Sequence, residues 1–82
     1  MIPKIKTIYA KDDFKLEVLF DDGKKVVYDV SEDIETIEPF KDLKNINGLW
    51  NHYSLDKSRT CVFWNDFIDL PSDTIYEYGV EI

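Results

Sequence analysis

His52 and Cys61 are the only imidazole and the only thiol in the chain, so they form the first candidate pair for nucleophilic catalysis. A turn over residues 56–59 between two strands would pair His52 with Phe63 and leave the imidazole diagonal to Cys61, about 7–8 Å away. The apolar neighbours at 62–64 favour a buried, unreactive thiol, and no acid or amide is placed to orient the histidine. We therefore predict core packing and no enzymatic activity. A small enzyme or ligand-binding domain with a pocket near these two residues is the alternative.

The sequence contains one acidic cluster with the chemistry of a metal site, formed by Asp66, Asp69 and Asp73. It lacks the twelve-residue loop, central glycine and closing glutamate of an EF-hand. One histidine and one cysteine cannot supply the four ligands of a structural zinc site, and three isolated glycines exclude the glycine-rich loops that bind nucleotide phosphates. We predict neither a metal nor a cofactor, and we assign the three acids to turns and helix caps.

Aromatic residues make up 15% of the chain, which is more than a small interior easily hides. Trp50 and Trp64 have two interpretations. Either both complete a small core, their indole N–H groups finding local acceptors, or they belong to an exposed patch of the residue types that dominate protein interfaces. The second interpretation predicts an interaction surface flanked by acids, formed by Trp50, Tyr53, Trp64, Asp66, Asp69, Asp73 and Tyr78.

The net charge of −7 is unevenly distributed along the chain. Residues 1–30 carry six acidic and six basic side chains, whereas residues 31–82 carry eleven acidic and four basic ones. The acidic half would repel a phosphate backbone or an anionic membrane, so we expect neither direct nucleic-acid binding nor membrane association. The same acids serve either as a solvated face or as a docking surface for a basic protein partner.

The length and composition of the chain limit the folds that could position the candidate residues named above. Eighty-two residues, 44% hydrophobic and 33% charged, predict one soluble domain over 1–82. No apolar run approaches the roughly 18 residues that span a bilayer, and the N-terminus shows no basic-then-apolar leader. A single cysteine agrees with a reducing compartment, so we expect a cytoplasmic protein.

The first third of the chain predicts a leading strand followed by a hairpin. The leading strand places Ile5, Thr7 and Tyr9 on one face. Residues 15–30 alternate between apolar and polar side chains on both sides of Asp22-Gly23. An Asp-Gly dipeptide is typical of a tight hairpin turn whose two central residues have positive φ.

The rest of the chain predicts short helices and a second hairpin. Residues 31–44 carry an apolar stripe, and Pro39 divides it into two helical turns. Residues 49–55 and 60–64 indicate a second strand pair, followed by a terminal helix capped by Ser72.

Together these elements predict an α+β fold. We expect one small antiparallel sheet of about five strands, in two hairpins plus a leading strand, with short helices on one face and at the C-terminus. A homodimer through an exposed strand edge is a further possibility, because so small a sheet has edges to cover.

Several short motifs occur in a fixed order along the chain: Ile2-Pro3-Lys4, Leu16-x-Val18-x-Phe20-x-Asp22-Gly23, Pro39-Phe40-x-x-Leu43, Val62-x-Trp64-x-Asp66-x-x-Asp69-Leu70-Pro71-x-Asp73, and Tyr76. This order resembles the bacterial domain-of-unknown-function family DUF2442, whose members are small α+β proteins. Asp66-Phe67 stands where that family usually has a glycine.

The resemblance implies a regulatory role and no catalytic residues. Some relatives carry a helix-turn-helix domain after this one, and others are encoded beside a second small domain. An 82-residue chain leaves no room for a helix-turn-helix domain, so we expect it to act through a separate partner. The expected function is a non-catalytic protein-interaction module, one half of a two-gene accessory or antitoxin-like pair.

Overall fold

The computed structural model describes residues 2–82, which form two antiparallel sheets and several short helices. The strands are β1 (Ile5–Ala10), β2 (Lys15–Phe20), β3 (Lys25–Asp29), β4 (Ser54–Leu55), β5 (Cys61–Asn65), β6 (Ile68–Pro71) and β7 (Val80–Glu81). The α-helices are α1 (Ser31–Thr36), α2 (Asp42–Asn45) and α3 (Ser72–Tyr78), and 3-10 helices cover Glu38–Lys41 and Leu49–Asn51. None of the helices in the described part of the chain is long and apolar enough to cross a membrane.

The predicted β2–β3 hairpin is confirmed, with a different turn from the one expected. Leu16, Val18 and Phe20 are buried on the inner face, as the alternation requires. At the turn, the Gly23 N–H donates to the Phe20 carbonyl (3.0 Å), and Gly23 alone in this turn has a positive φ, of 91°. The connection is therefore a type I turn followed by a left-handed glycine, rather than a two-residue turn with two positive φ angles.

A β-bulge in β1 overturns the predicted faces of that strand. Ile5 pairs with Phe20, but Thr7 pairs with Leu19, so an extra residue lies between the two pairs. The bulge shifts the alternation by one residue, because successive side chains point to opposite faces. Ile5 is buried as predicted, whereas Thr7 and Tyr9 are exposed on the outer face.

The second half of the chain forms its own sheet, in the order β4-β5-β6. The predicted strand over 49–55 is largely wrong, because a 3-10 helix follows Gly48 and the strand shrinks to two residues. Ser54 pairs with Phe63, two residues from the predicted register. The Asp56 carboxylate explains the shift, since its Oδ1 accepts the N–H groups of Thr60 (2.9 Å) and Cys61 (3.2 Å) and so closes a longer loop.

The α+β class is confirmed, but the strands divide into two sheets instead of one. The larger sheet has the order β1-β2-β3-β7, because the chain returns after α3 to add β7 beside β3. Sequence analysis predicted neither β6 nor β7. The apolar stripe packs as expected except at Ile37, which is 42% exposed where α1 ends in extended backbone.

A single hydrophobic core lies between the inner faces of the two sheets and the helices. Trp50 and Trp64 stack inside it, with ring centroids 5.6 Å apart and planes 15° from parallel. Ser72 is buried at the first position of α3, and its hydroxyl donates to the Pro3 carbonyl (2.6 Å) instead of capping the helix. This bond holds the N-terminal segment against α3.

Candidate functional site

A cleft of about 800 Å³ lies at the tip of the β2–β3 hairpin, between the N-terminal segment and α3. We call it the hairpin cleft. Its lining comes from three distant parts of the chain: Ile2, Pro3, Lys4, Phe20, Asp21, Asp22, Lys24, Asp73, Tyr76 and Glu77. A concave site of this volume, apolar with a few polar groups, has the properties of a ligand-binding pocket.

The aromatic wall of the hairpin cleft is the ring of Tyr76, which the buried Phe20 supports from behind in edge-to-face contact. Phe20 ends β2 and is 1% exposed, and Tyr76 lies on α3. Their centroids are 4.9 Å apart and their planes meet at 79°, a favourable geometry for aromatic pairs. The contact fixes α3 against the hairpin, so the wall is rigid before any ligand arrives.

Tyr76 is also held by polar contacts to the hairpin turn. Its hydroxyl donates to Asp22 Oδ2 (2.7 Å), and Lys24 Nζ lies 4.0 Å above the ring centroid while donating to the Tyr76 carbonyl (3.2 Å). The hydroxyl bond, together with the Lys24 N–H, holds the pKa of Asp22 below its usual range. The same bond raises the pKa of Tyr76, since a phenolate has no proton to donate to Asp22 and would be repelled by that carboxylate.

A bidentate ion pair engages Asp21, one of the acids that line the hairpin cleft. Arg59 donates from Nη1 and Nη2 to the two carboxylate oxygens of Asp21, each at 2.8 Å. Nη1 also donates to the Ile5 carbonyl (3.2 Å). The Arg59 hydrogen bond lowers the pKa of Asp21. Arg59 has a φ of 60°, which is unusual outside glycine, so the loop bends to bring the guanidinium to this carboxylate.

Two carboxylates of the hairpin cleft are left without a cationic partner. Asp73 and Glu77 lie four residues apart on α3, so they share one face of the helix. Among residues 2–82, neither forms a salt bridge, and Asp73 Oδ1 accepts only the Thr74 N–H (2.9 Å) in the structure. Opposite them, Lys24 is engaged with Tyr76. Lys4 is the other base of the described lining and acts on Asp21, so the negative part of the cleft is its α3 side, beside Tyr76.

Comparison with known proteins identifies the family. The model of the family described as "Protein of unknown function (DUF2442)" matches residues 5–81, nearly the whole chain. The chain belongs to the DUF2442 family. No curated protein and no solved structure matches it.

Four of the five short motifs of this DUF2442 chain contribute residues to the hairpin cleft, and Pro39-Phe40-x-x-Leu43 contributes none. Pro3, Phe20, Asp22, Asp73 and Tyr76 belong to separate motifs or motif positions in the sequence, and all five line the cleft. Sequence reasoning did not assign them a shared role, because only the packing of α3 against the hairpin brings them together. Asp21, Lys24 and Glu77 lie beside them and carried no signal of their own.

The structure does not bring His52 and Cys61 into a catalytic arrangement. His52 is exposed just after the 3-10 helix, outside the strand in which it was predicted to pair with Phe63. Cys61 is half-buried at the start of β5, and burial together with Asp69 raises the pKa of its thiol. Neither residue lines the hairpin cleft.

The structure favours the core interpretation of both tryptophans, so their predicted place in an exposed patch is wrong. Trp50 is 6% and Trp64 7% exposed. Trp50 Nε1 donates to the Lys11 carbonyl (2.7 Å), and Trp64 Nε1 donates to the Trp50 carbonyl (3.0 Å). Tyr53 is half-buried, and its hydroxyl donates to the Ile8 carbonyl (3.3 Å). These three residues stabilise the fold instead of offering a surface.

The four remaining residues of the predicted interaction surface are exposed but lie apart. Asp66 is in the β5–β6 turn and Asp69 is on the outer face of β6, while Asp73 is in the first turn of α3, at the hairpin cleft. Tyr78 ends α3 and is 71% exposed. Within residues 2–82, no three histidine, cysteine or acidic side chains come together as a metal site.

Proposed function

We propose that this DUF2442 protein is a non-catalytic interaction module that docks a basic segment of a partner protein in the hairpin cleft. The observation that carries the proposal is the half-buried ring of Tyr76, supported from behind by the buried Phe20. Beside it lie the carboxylates of Asp73 and Glu77, which form no salt bridge within residues 2–82. The family resemblance supports a regulatory setting, in which the partner is the product of an adjacent gene in an accessory or antitoxin-like pair. We place the pair in the cytoplasm.

The charges around the hairpin cleft favour a positively charged partner segment. The Asp21 carboxylate is neutralised by Arg59, and the Asp22 carboxylate is engaged by Tyr76, so both support the cleft instead of recruiting a ligand. Asp73 and Glu77 are free to accept hydrogen bonds from a lysine or arginine. No basic residue occurs between Asp66 and the end of the sequence, so the field around α3 also attracts a cation.

The volume and the lining of the hairpin cleft limit which contacts a partner can make. A cleft of about 800 Å³ accommodates two or three side chains of an extended peptide. An apolar or aromatic side chain would pack on Tyr76, while a neighbouring basic side chain reaches the carboxylates on α3. The proposal assigns the carboxylates of Asp73 and Glu77 to binding, as hydrogen-bond acceptors for the basic side chain of the partner.

The proposal is tested with a defined probe, a fluorescein-labelled ten-residue peptide of alternating tryptophan and arginine, followed by fluorescence anisotropy. We expect binding that weakens at least fivefold in the double variant Asp73→Asn, Glu77→Gln. The matched control is Asp66→Asn, Asp69→Asn, which removes the same charge away from the cleft and should weaken binding less than twofold. A tryptophan–glutamate peptide should not bind. Equal losses in the two double variants would show that only the overall charge attracts the peptide, and the proposal would fail.

A small organic cation is the second candidate ligand, because the volume of the hairpin cleft lies within the range of small-molecule pockets. Its apolar wall and free carboxylates suit an aromatic amine. Titration with tryptamine, followed by amide chemical shifts, tests this ligand class. Shifts confined to the hairpin turn and α3 would support it, and shifts scattered over the surface would count against it.

A further inference from the structure

The outer face of the larger sheet carries apolar side chains that nothing within residues 2–82 covers. The core contains only inner-face residues of this sheet, and the helices and the second sheet pack on that inner side. On the outer face, Tyr9 is 64% and Val80 is 69% exposed, with the half-buried Leu19 and Val27 between them. Tyr9, Glu17, Val27 and Val80 are direct neighbours in one row across the four strands.

This face combines a protruding ring with a recess at the opposite end of the sheet. The Tyr9 ring stands out from β1, and a groove of about 600 Å³ opens at the β3 and β7 side of the sheet. Its lining on the outer face is Lys15, Val27, Asp29 and Val80, and Tyr28, Glu32, Tyr78 and Ile82 line it at the sheet edge. Three strand spacings, about 14 Å, separate the two ends. A two-fold dimer requires each copy to offer both halves of a complementary contact, as this face does.

Charge also favours a second copy at this face. The chain carries −7 overall, so two copies repel each other over most of their surface. The outer face of the larger sheet is balanced, with Lys15 and Lys25 beside Glu17 and Asp29, and Lys25 pairs with Glu17 at 3.2 Å. The outer face of the smaller sheet carries Asp69 and no base, and is unsuited to self-association.

We infer that the protein forms a weak two-fold dimer through the outer face of the larger sheet, with Tyr9 of each copy seated in the groove beside Val80 of the other. The edge-to-edge dimer expected from the sequence is less favoured at this sheet, because the outer edge of β1 already has hydrogen-bond partners and the other edge strand, β7, is only two residues long. The Ile5 N–H donates to the Arg59 carbonyl (2.8 Å), and the Ile8 carbonyl accepts the Tyr53 hydroxyl (3.3 Å).

The area of the outer face of the larger sheet limits how tightly two copies can bind. Four strands of up to six residues cover an area of about 400 Å², roughly half of what each partner contributes to a standard interface. We therefore expect a dissociation constant in the range of tens to hundreds of micromolar, visible only at high concentration.

Sedimentation equilibrium between about 10 µM and 1 mM tests this inference. We expect a monomer–dimer equilibrium whose dissociation constant rises at least tenfold in Tyr9→Ser and in Val80→Glu. Phe67→Ser and Phe67→Glu are the matched controls, because Phe67 is 79% exposed in the β5–β6 turn, away from this face. Urea unfolding of each variant confirms that the fold is intact.

Two results would overturn the inference: a monomer throughout the concentration range, or equal weakening by the Tyr9 and Phe67 substitutions. The outcome is separable from that of peptide binding, because Tyr9 does not line the hairpin cleft. Tyr9→Ser should leave the peptide affinity unchanged.

Discussion

At the scale of single residues, Cys61 was a candidate nucleophile, but its surroundings are those of an unreactive thiol. Cys61 is half-buried at the start of β5, and its Sγ lies 3.7 Å from the Val62 carbonyl. Burial raises the pKa of the thiol, and the nearby carboxylates of Asp69 and Asp56 raise it further. A thiol with a raised pKa is largely protonated at neutral pH and reacts slowly.

The reactivity of Cys61 follows from this environment. At pH 7.5 we expect the folded protein to react with a thiol-specific disulfide reagent several-fold more slowly than the chain in denaturant. Asp69→Asn should accelerate the reaction and shift its pH profile to lower pH, because one carboxylate that opposes the thiolate is removed. Lys57→Gln, in the β4–β5 loop, is the control for unrelated charge changes. Equal rates in folded and denatured protein would contradict the shielded thiol, and a faster reaction in the folded protein would indicate an activated cysteine and support the catalytic interpretation.

At the scale of elements, two glycines show how differently the chain makes its turns. Gly23 closes the β2–β3 hairpin with a φ of 91°, and a Cβ atom built on it meets nothing within 4 Å. Gly79 joins α3 to β7 with an ordinary negative φ, but a Cβ atom there would lie 2.6 Å from the Ile75 carbonyl and 3.0 Å from Val26. Position 23 requires a residue that adopts the left-handed backbone conformation, and position 79 requires a residue without a side chain.

These requirements predict opposite responses to substitution. Gly23→Ala should cost about 1–2 kcal/mol through the left-handed backbone, and Gly23→Asn should cost less, because asparagine tolerates that conformation. Gly79→Ala should cost about 1–3 kcal/mol by forcing α3 from β3, and Gly79→Asn should cost at least as much. Urea unfolding measures each change in the free energy of unfolding. If asparagine recovered stability at Gly79 and not at Gly23, both explanations would be wrong.

At the scale of the whole molecule, several turns are held by ionised carboxylates. Hydrogen bonds lower the pKa values of Asp21, Asp22, Asp29 and Asp56, in each case chiefly through a side-chain donor. A carboxyl group whose pKa is lower in the folded than in the unfolded chain contributes stability above its unfolded pKa of about 4. That contribution is lost as the pH falls through the folded pKa.

The free energy of unfolding should therefore stay nearly constant between pH 7 and about pH 5 and fall below about pH 4. Asp56→Asn isolates one contribution, since its amide oxygen can still accept the N–H groups of Thr60 and Cys61 but does not titrate. Urea midpoints of both proteins between pH 7 and pH 3 are the measurement. We expect the midpoint of the variant to fall less steeply on acidification, and parallel curves would contradict this role of Asp56.

The sequence alone was sufficient where the pattern is local. The alternation over 15–30 with a glycine at its turn predicted the β2–β3 hairpin, because neighbouring residues specify both the faces and the reversal. The α+β class, the helix over 72–78 and the DUF2442 resemblance were also correct. The helix depends on residues a few positions apart, and the class and the resemblance depend on the order of such local patterns along the chain.

Tertiary structure decided the features that depend on distant partners. The bulge in β1 reversed the face of Tyr9, and two-residue strands such as β7 exist only because a longer strand supplies their hydrogen bonds. Likewise, the tryptophans could be assigned to the core only after β5 packed against the segment that carries Trp50. The hairpin cleft joins the N-terminal segment, the β2–β3 turn and α3, which are separated by up to about 70 positions. The periodicity of hydrophobic residues predicts which side of a helix or strand is buried. It does not predict which elements pack together, because packing depends on the shapes and volumes of side chains in three dimensions.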